Sequence, residues 1–111
     1  MNVDLDSGLI SSGVFTVIGE TTSVAANYTM LQEAIDIATL ATSYYSDYAD
    51  IARYIKMVYD NRYDPFWIVL IAPLPNGVFY TYSSPYSIRL RWRNSVDIYI
   101  AKPYQYSMPK L

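Results

Sequence analysis

No histidine and no cysteine occur among the 111 residues, so the two side chains that most often do chemistry near neutral pH are missing. A hydrolase built on this chain would need Ser or Thr beside Lys, or two carboxylates working as a pair. The close acidic pairs on helical stretches are Glu33 with Asp36 and Asp47 with Asp50. Capping and solvation account for both pairs. Zinc would have to bind without imidazole or thiolate, and Gly13, Gly19 and Gly77 stand too far apart to cradle a phosphate. The residues therefore point away from catalysis and imply no cofactor and no metal. A small enzyme or nucleotide-binding α+β domain remains the rival reading, and its mark would be a concave pocket with converging polar groups.

The composition suits two readings equally, a tyrosine-rich core or a surface made for contact with another protein. Thirteen residues are tyrosine, 52% are hydrophobic and only 16% are charged. A large ring is buried at small entropic cost while its hydroxyl still bonds at a wet rim, so tyrosine suits an interface. Arg89, Arg91 and Arg93 alternate in a way that could line a sheet against phosphate or RNA. The net charge of −2 and the scattered basic residues argue instead for an ion-paired face shared with Asp97, and against a nucleic acid partner. The first thirteen residues carry two aspartates and no basic residue, unlike a signal peptide. The apolar run from Phe66 to Ala72 falls far short of the ~20 residues that cross a bilayer. A soluble, cytosolic protein without a membrane partner is expected.

The positioning elements follow from periodicity. Val14 to Ile18, bounded by Gly13 and Gly19, reads as a first strand. A helix starts near Asn27 or Thr29, with Leu31, Ala34, Ile35, Ala38, Ala41 and Tyr45 on one face. Ser43 to Ser46 breaks it, and Asp47 caps a second helix whose Ile51, Tyr54, Ile55, Val58 and Tyr59 form an apolar stripe. Pro65 ends that helix near Asn61. Phe66 to Ile71 then reads as an inner strand covered on both faces.

Two prolines and Asn76-Gly77 make a turn before the strand Val78 to Tyr82, whose Pro-containing flanks suit a peripheral strand and whose pattern suits an ordinary inner one equally well. A peripheral strand offers unpaired backbone groups to an extended peptide or to a second copy of the chain. Strict alternation in Ile88 to Trp92 and Val96 to Ile100 sets Trp92 opposite Val96, Leu90 opposite Ile98 and Ile88 opposite Ile100. The same register puts Arg91 across from Asp97 and Arg89 across from Tyr99. An α+β fold in the order β-α-α-β-β-β-β results, with a two-helix hairpin packed on an antiparallel sheet. Residues 1–12 read as a flexible extension, 13–102 as the domain and 103–111 as an irregular tail.

At this point the chain resembles the small homodimeric dynein light chains, the type unrelated to the Tctex and roadblock light chains. Ile51-Ala52, Ile55-Lys56, Asp60, Tyr63, Pro65 and Trp67, followed by Gly77, Phe79, Thr81 and Val96, carry the resemblance, which spans roughly Thr29 to Lys102. It implies a non-catalytic, strand-exchanged dimer in which Gly77, Val78, Phe79, Tyr80, Thr81 and Tyr82 cross to the other subunit's sheet. Two grooves between that strand and the partner subunit's second helix would each take an extended peptide. Tyr48 and Ala49 would stand at the groove end that usually receives a glutamine, where the family has a polar or charged pair. Tyr82 replaces an interfacial histidine, so pH-driven dissociation is expected to be missing. Arg89, Arg91, Asp97 and Tyr99 fall on the groove and dimer face, which implies a more acidic ligand or a related light chain of complementary charge. The implied partners are a second copy or a related light chain, and a dynein intermediate chain or another motor or axonemal subunit. The implied location is the cytoplasm and cytoskeleton, with the tyrosine surplus and N-terminal extension suggesting an axonemal specialisation.

Overall fold

Alternation between residues 86 and 102 builds the centre of the molecule. In the computed structural model, which describes residues 2–4, 9–11, 14–20, 28–63, 65–74 and 86–102, Tyr86–Trp92 and Val96–Lys102 pair as an antiparallel hairpin. Its register is the one expected, with Trp92 opposite Val96, Leu90 opposite Ile98 and Ile88 opposite Ile100. Ile88, Leu90, Ile98 and Ile100 are fully buried beneath the helices, and a slip by one residue would drive arginines into that layer.

In chain order the elements are β1 (Asn2–Asp4), β2 (Leu9–Ser11), β3 (Phe15–Glu20), α1 (Tyr28–Tyr44), α2 (Tyr48–Tyr63), β4 (Ile68–Pro73), β5 (Tyr86–Trp92) and β6 (Val96–Lys102). Among the described residues the sheet runs β1-β2-β3-β5-β6-β4, with each neighbouring pair antiparallel. One layer of helix covers one face. Met30, Leu31, Ala34, Ile35, Ile37, Ala38 and Ala41 of α1 and Ile51, Ile55 and Tyr59 of α2 are buried against the sheet's inner side chains. The small alanines let α1 approach closely.

Several boundaries differ from the sequence reading. α2 runs two residues past Asn61, because the Tyr63 hydroxyl donates to Glu33 Oε2 of α1 and holds the last turn down. Tyr45 lies beyond the end of α1 and is exposed rather than part of its buried face. The fourth strand begins at Ile68, not Phe66, since Phe66 turns the corner with a φ of 78° and stays in solvent. Residues 2–4 and 9–11, read as a flexible lead-in, form two short strands that pair with each other, and β2 meets β3 at Thr16. The strand Val78 to Tyr82 lies outside the described residues.

The largest correction concerns β4. A continuous apolar run was expected to be inner, yet among the described residues β4 pairs with β6 alone and stands at the end of the sheet. Val69 and Ile71 face the helices, while Ile68, Leu70 and Ala72 lie on the opposite face with Ala101, Tyr99 and Asp97. Leu70 remains exposed. Apolar residues on both faces of a strand show that both faces lack water-seeking groups, and they do not show that both edges are paired.

Candidate functional site

The corner that leads into β4 is built from the spacing between Lys56, Asp60 and Trp67. One turn of helix places Lys56 under Asp60, whose Oδ2 accepts from the ammonium while its Oδ1 accepts from the Trp67 backbone N-H at 2.8 Å. Burial works to raise the Asp60 pKa. The Lys56 bond and the backbone N-H groups of Trp67 and Phe66 outweigh it and hold the carboxyl below its ordinary range. Trp67 is buried against Tyr59 at 4.7 Å between ring centroids, with Tyr63 and Tyr86 alongside. Burial, then the bond to Glu33, pushes the Tyr63 hydroxyl up to about 12. Arg62 adds an ion pair to the same Glu33 carboxylate at 3.4 Å. The corner is thus fixed from both helices, and β4 starts from a rigid point.

From that point β4 runs as a six-residue margin. Its inner edge is paired from Ile68 opposite Ala101 to Pro73 opposite Val96. On its outer edge no strand stands among the described residues. Phe66, 68% exposed, and Leu70 flank this edge with apolar surface. An unpaired row of N-H and C=O groups beside exposed apolar side chains is a template for another strand.

The outer face of the sheet carries the expected charges. Arg91 grips Asp97 as a fork, Nε to Oδ1 at 2.8 Å and Nη2 to Oδ2 at 3.2 Å. Asp97 is buried, and its hydrogen bond holds the Arg91 guanidinium above its ordinary pKa. Arg89 lies opposite a buried Tyr99. Arg91 therefore finds its carboxylate within its own chain, which removes the reason to seek one on a ligand.

Tyr48 and Ala49 sit in the first turn of α2, both exposed. Asp47 caps that turn, its Oδ1 accepting from the Ala49 N-H at 2.7 Å. The structure brings Arg91 to Asp97 and Arg89 to Tyr99, and it places Tyr48 and Ala49 in the helical layer. Gly77, Val78, Phe79, Tyr80, Thr81 and Tyr82 lie outside the described residues. The sequence reading missed Phe66, Ile68 and Leu70 as margin residues, and it gave Asp60 no role. The spacing of Asp60 to Pro65 and Trp67 was the available signal, since a carboxylate one turn before a Pro-ended helix can reach back to the following backbone.

Among the described residues no three His, Cys, Asp or Glu side chains converge as a metal site would require. No helix there is long and apolar enough to cross a membrane.

Comparison with known proteins fits this geometry. The family model described as dynein light chain type 1 matches residues 20–100. Two solved structures of the dynein light chain-like domain of the Fasciola hepatica calcium binding protein FhCaBP2 are similar in fold. The mercury derivative aligns with a TM-score of 0.60 at 18% identity, over 85% of this chain and 97% of that one. The native crystal form aligns with a TM-score of 0.55 at 20% identity, over 93% of this chain and 100% of that one.

Proposed function

Because this chain belongs to the dynein light chain type 1 family, we propose that it acts as a non-catalytic, dimeric hub that binds extended segments of larger chains by strand addition. The observation that carries this reading is the outer edge of β4, which has no strand partner among the described residues. Gly77 to Tyr82 of a second copy supplies the missing neighbour, and the reciprocal exchange gives a two-fold dimer. Each exchanged strand then presents its own free edge, opposite the start of α2 where Tyr48 and Ala49 stand, to an incoming peptide. Main-chain hydrogen bonds hold that peptide and side pockets choose it. Two grooves on one dimer clamp two chains together, and the second contact is helped by high effective concentration.

With the Arg91 charge neutralised by Asp97, a second copy fits the outer face without complementary charge, which favours the homodimer over a related light chain. The larger chains are of the dynein intermediate chain kind or other motor and axonemal subunits, at microtubules or in cilia. Light scattering over a concentration series tests the reading, with a dimer mass expected throughout the higher range. A strict monomer would refute it. Thr81→Pro removes one backbone donor from the exchanged strand and should abolish dimerisation. Persistence of the dimer in that variant would assign the exchange to another segment.

A further inference from the structure

A cleft of about 360 Å³ opens between the C-terminal half of α1 and the tip of the β5–β6 hairpin. It lies over β3 and β5, with β6 between it and the β4 margin. Its apolar floor is the stacked pair Phe15 and Trp92, centroids 6.1 Å apart and 11° from parallel, with Val14 beside them. One wall is Thr39, Thr42 and Ser43. Each of these hydroxyls donates to a helix carbonyl, of Ile35, Ala38 and Leu40 respectively. Their donors are spent on the helix, which leaves these hydroxyl oxygens only acceptor capacity. The volume equals that of roughly a dozen waters, enough for one or two side chains.

Arg93 closes the opposite rim. It sits at a φ of 52° followed by Asn94 at 57°, a turn that Asn and Gly fill without strain and that arginine does not. Its backbone N-H donates to Val14 O at 2.8 Å and its guanidinium lies over the Trp92 ring, 5.2 Å from the centroid. No carboxylate stands within ion-pairing distance of it among the described residues, in contrast to Arg53, Arg62 and Arg91. A cation is thus held in a left-handed turn over an apolar floor and opposite a wall of acceptors, with no carboxylate paired to it among the described residues.

We infer that this cleft is a second docking site, for a short acidic and apolar segment of a partner protein. A glutamate or aspartate of the segment pairs with Arg93 and backbone N-H groups donate to the threonine and serine oxygens. An aliphatic side chain rests on Val14 and Trp92, with the buried Phe15 stacked behind the indole. The net charge of −2 opposes an acidic ligand at long range, so the attraction is local and weakens as salt screens it. A site here would let the hub hold one chain by strand addition and a second partner at the hairpin tip.

The test is a ¹⁵N NMR titration of the intact protein with acetyl-Leu-Glu-Leu-Glu-amide and, separately, with acetyl-Leu-Gln-Leu-Gln-amide. The glutamate peptide is expected to shift the Trp92 indole N-H and the amides of Thr39, Thr42, Ser43 and Arg93 saturably. The glutamine peptide should bind about fivefold more weakly, equivalent to ~1 kcal/mol, and Arg93→Asn should weaken the glutamate peptide by the same factor. Asparagine tolerates the positive φ, so that variant keeps the turn. Thr42→Phe fills the cleft without touching Arg93 and should abolish the shifts. The inference is overturned by equal shifts from both peptides, by unchanged affinity in Arg93→Asn, or by shifts confined to β4.

Discussion

At one side of the sheet β3 is followed outward by β2 and then β1, while at the other side β4 has β6 within and no strand without, among the described residues. The two margins also differ in what they would offer a newcomer. β1 and β2 are three residues each, and the outermost, Asn2 to Asp4, is a short segment ending in a carboxylate residue. Short, charged edge strands make poor templates. β4 is six residues long, continuous, and flanked by exposed Phe66 and Leu70. The same chain thus blunts one margin with its own N-terminus and keeps the other long, apolar and rigidly anchored. An edge of that form is suited to company, and the contrast supports the proposed strand addition at β4 better than any single residue does.

The sharpest way to break the contrast is to make β4 resemble a blunted edge. Ile68→Lys combined with Leu70→Lys should weaken self-association at least about 100-fold, or ~2.7 kcal/mol, because two ammonium groups would have to be buried or excluded at the interface. Sedimentation should then show a folded monomer. Retention of the dimer would place the contact elsewhere.

A smaller effect is expected from loosening the anchor. Asp60→Ala removes the acceptor for Lys56 and for the Trp67 N-H, and should cost about 2 kcal/mol by chemical denaturation. Hydrogen exchange should quicken at β4 before β3. The pH dependence has a definite sign: the Asp60 pKa is depressed on folding, so its stabilisation is present above the ordinary carboxylate value and is lost as pH falls through the folded-state pKa. The variant should therefore show a flatter acid limb. The smallest effect belongs to the opposite margin. Removal of residues 1–12 takes away β1 and β2, which should cost about 1 kcal/mol or less and leave the dimer mass unchanged. A monomer after that truncation would reverse the assignment of the two margins.

Much of the fold was legible in the sequence because it is written in local periodicity. The register of β5 and β6, including Arg91 opposite Asp97, followed from alternation alone and is the register found. The stripe Ile51, Ile55 and Tyr59 and the cap at Asp47 were read in the same way. Less of the candidate site was legible. The position of β4 at the end of the described sheet escaped the pattern, since the count of apolar faces says nothing about paired edges. Phe66 was read as a strand residue, but the Asp60 carboxylate takes the Trp67 N-H and forces the chain through a positive φ just before it. The N-terminal strands were missed because three-residue strands carry too few alternations to stand out.

The sequence by itself determined where the two helices and the longer strands lie to within a few residues, which side of most of them is apolar, and that no histidine or cysteine stands among the 111 residues. Those properties depend on neighbours within a few positions along the chain. The tertiary structure alone decided the order of strands, and with it which edge lacks a strand neighbour among the described residues, and which carboxylates Arg53, Arg62 and Arg91 meet there. The reason is that backbone pairing and charge pairing are settled between residues far apart in sequence, where the competing partners have similar local patterns and only the packed arrangement selects among them.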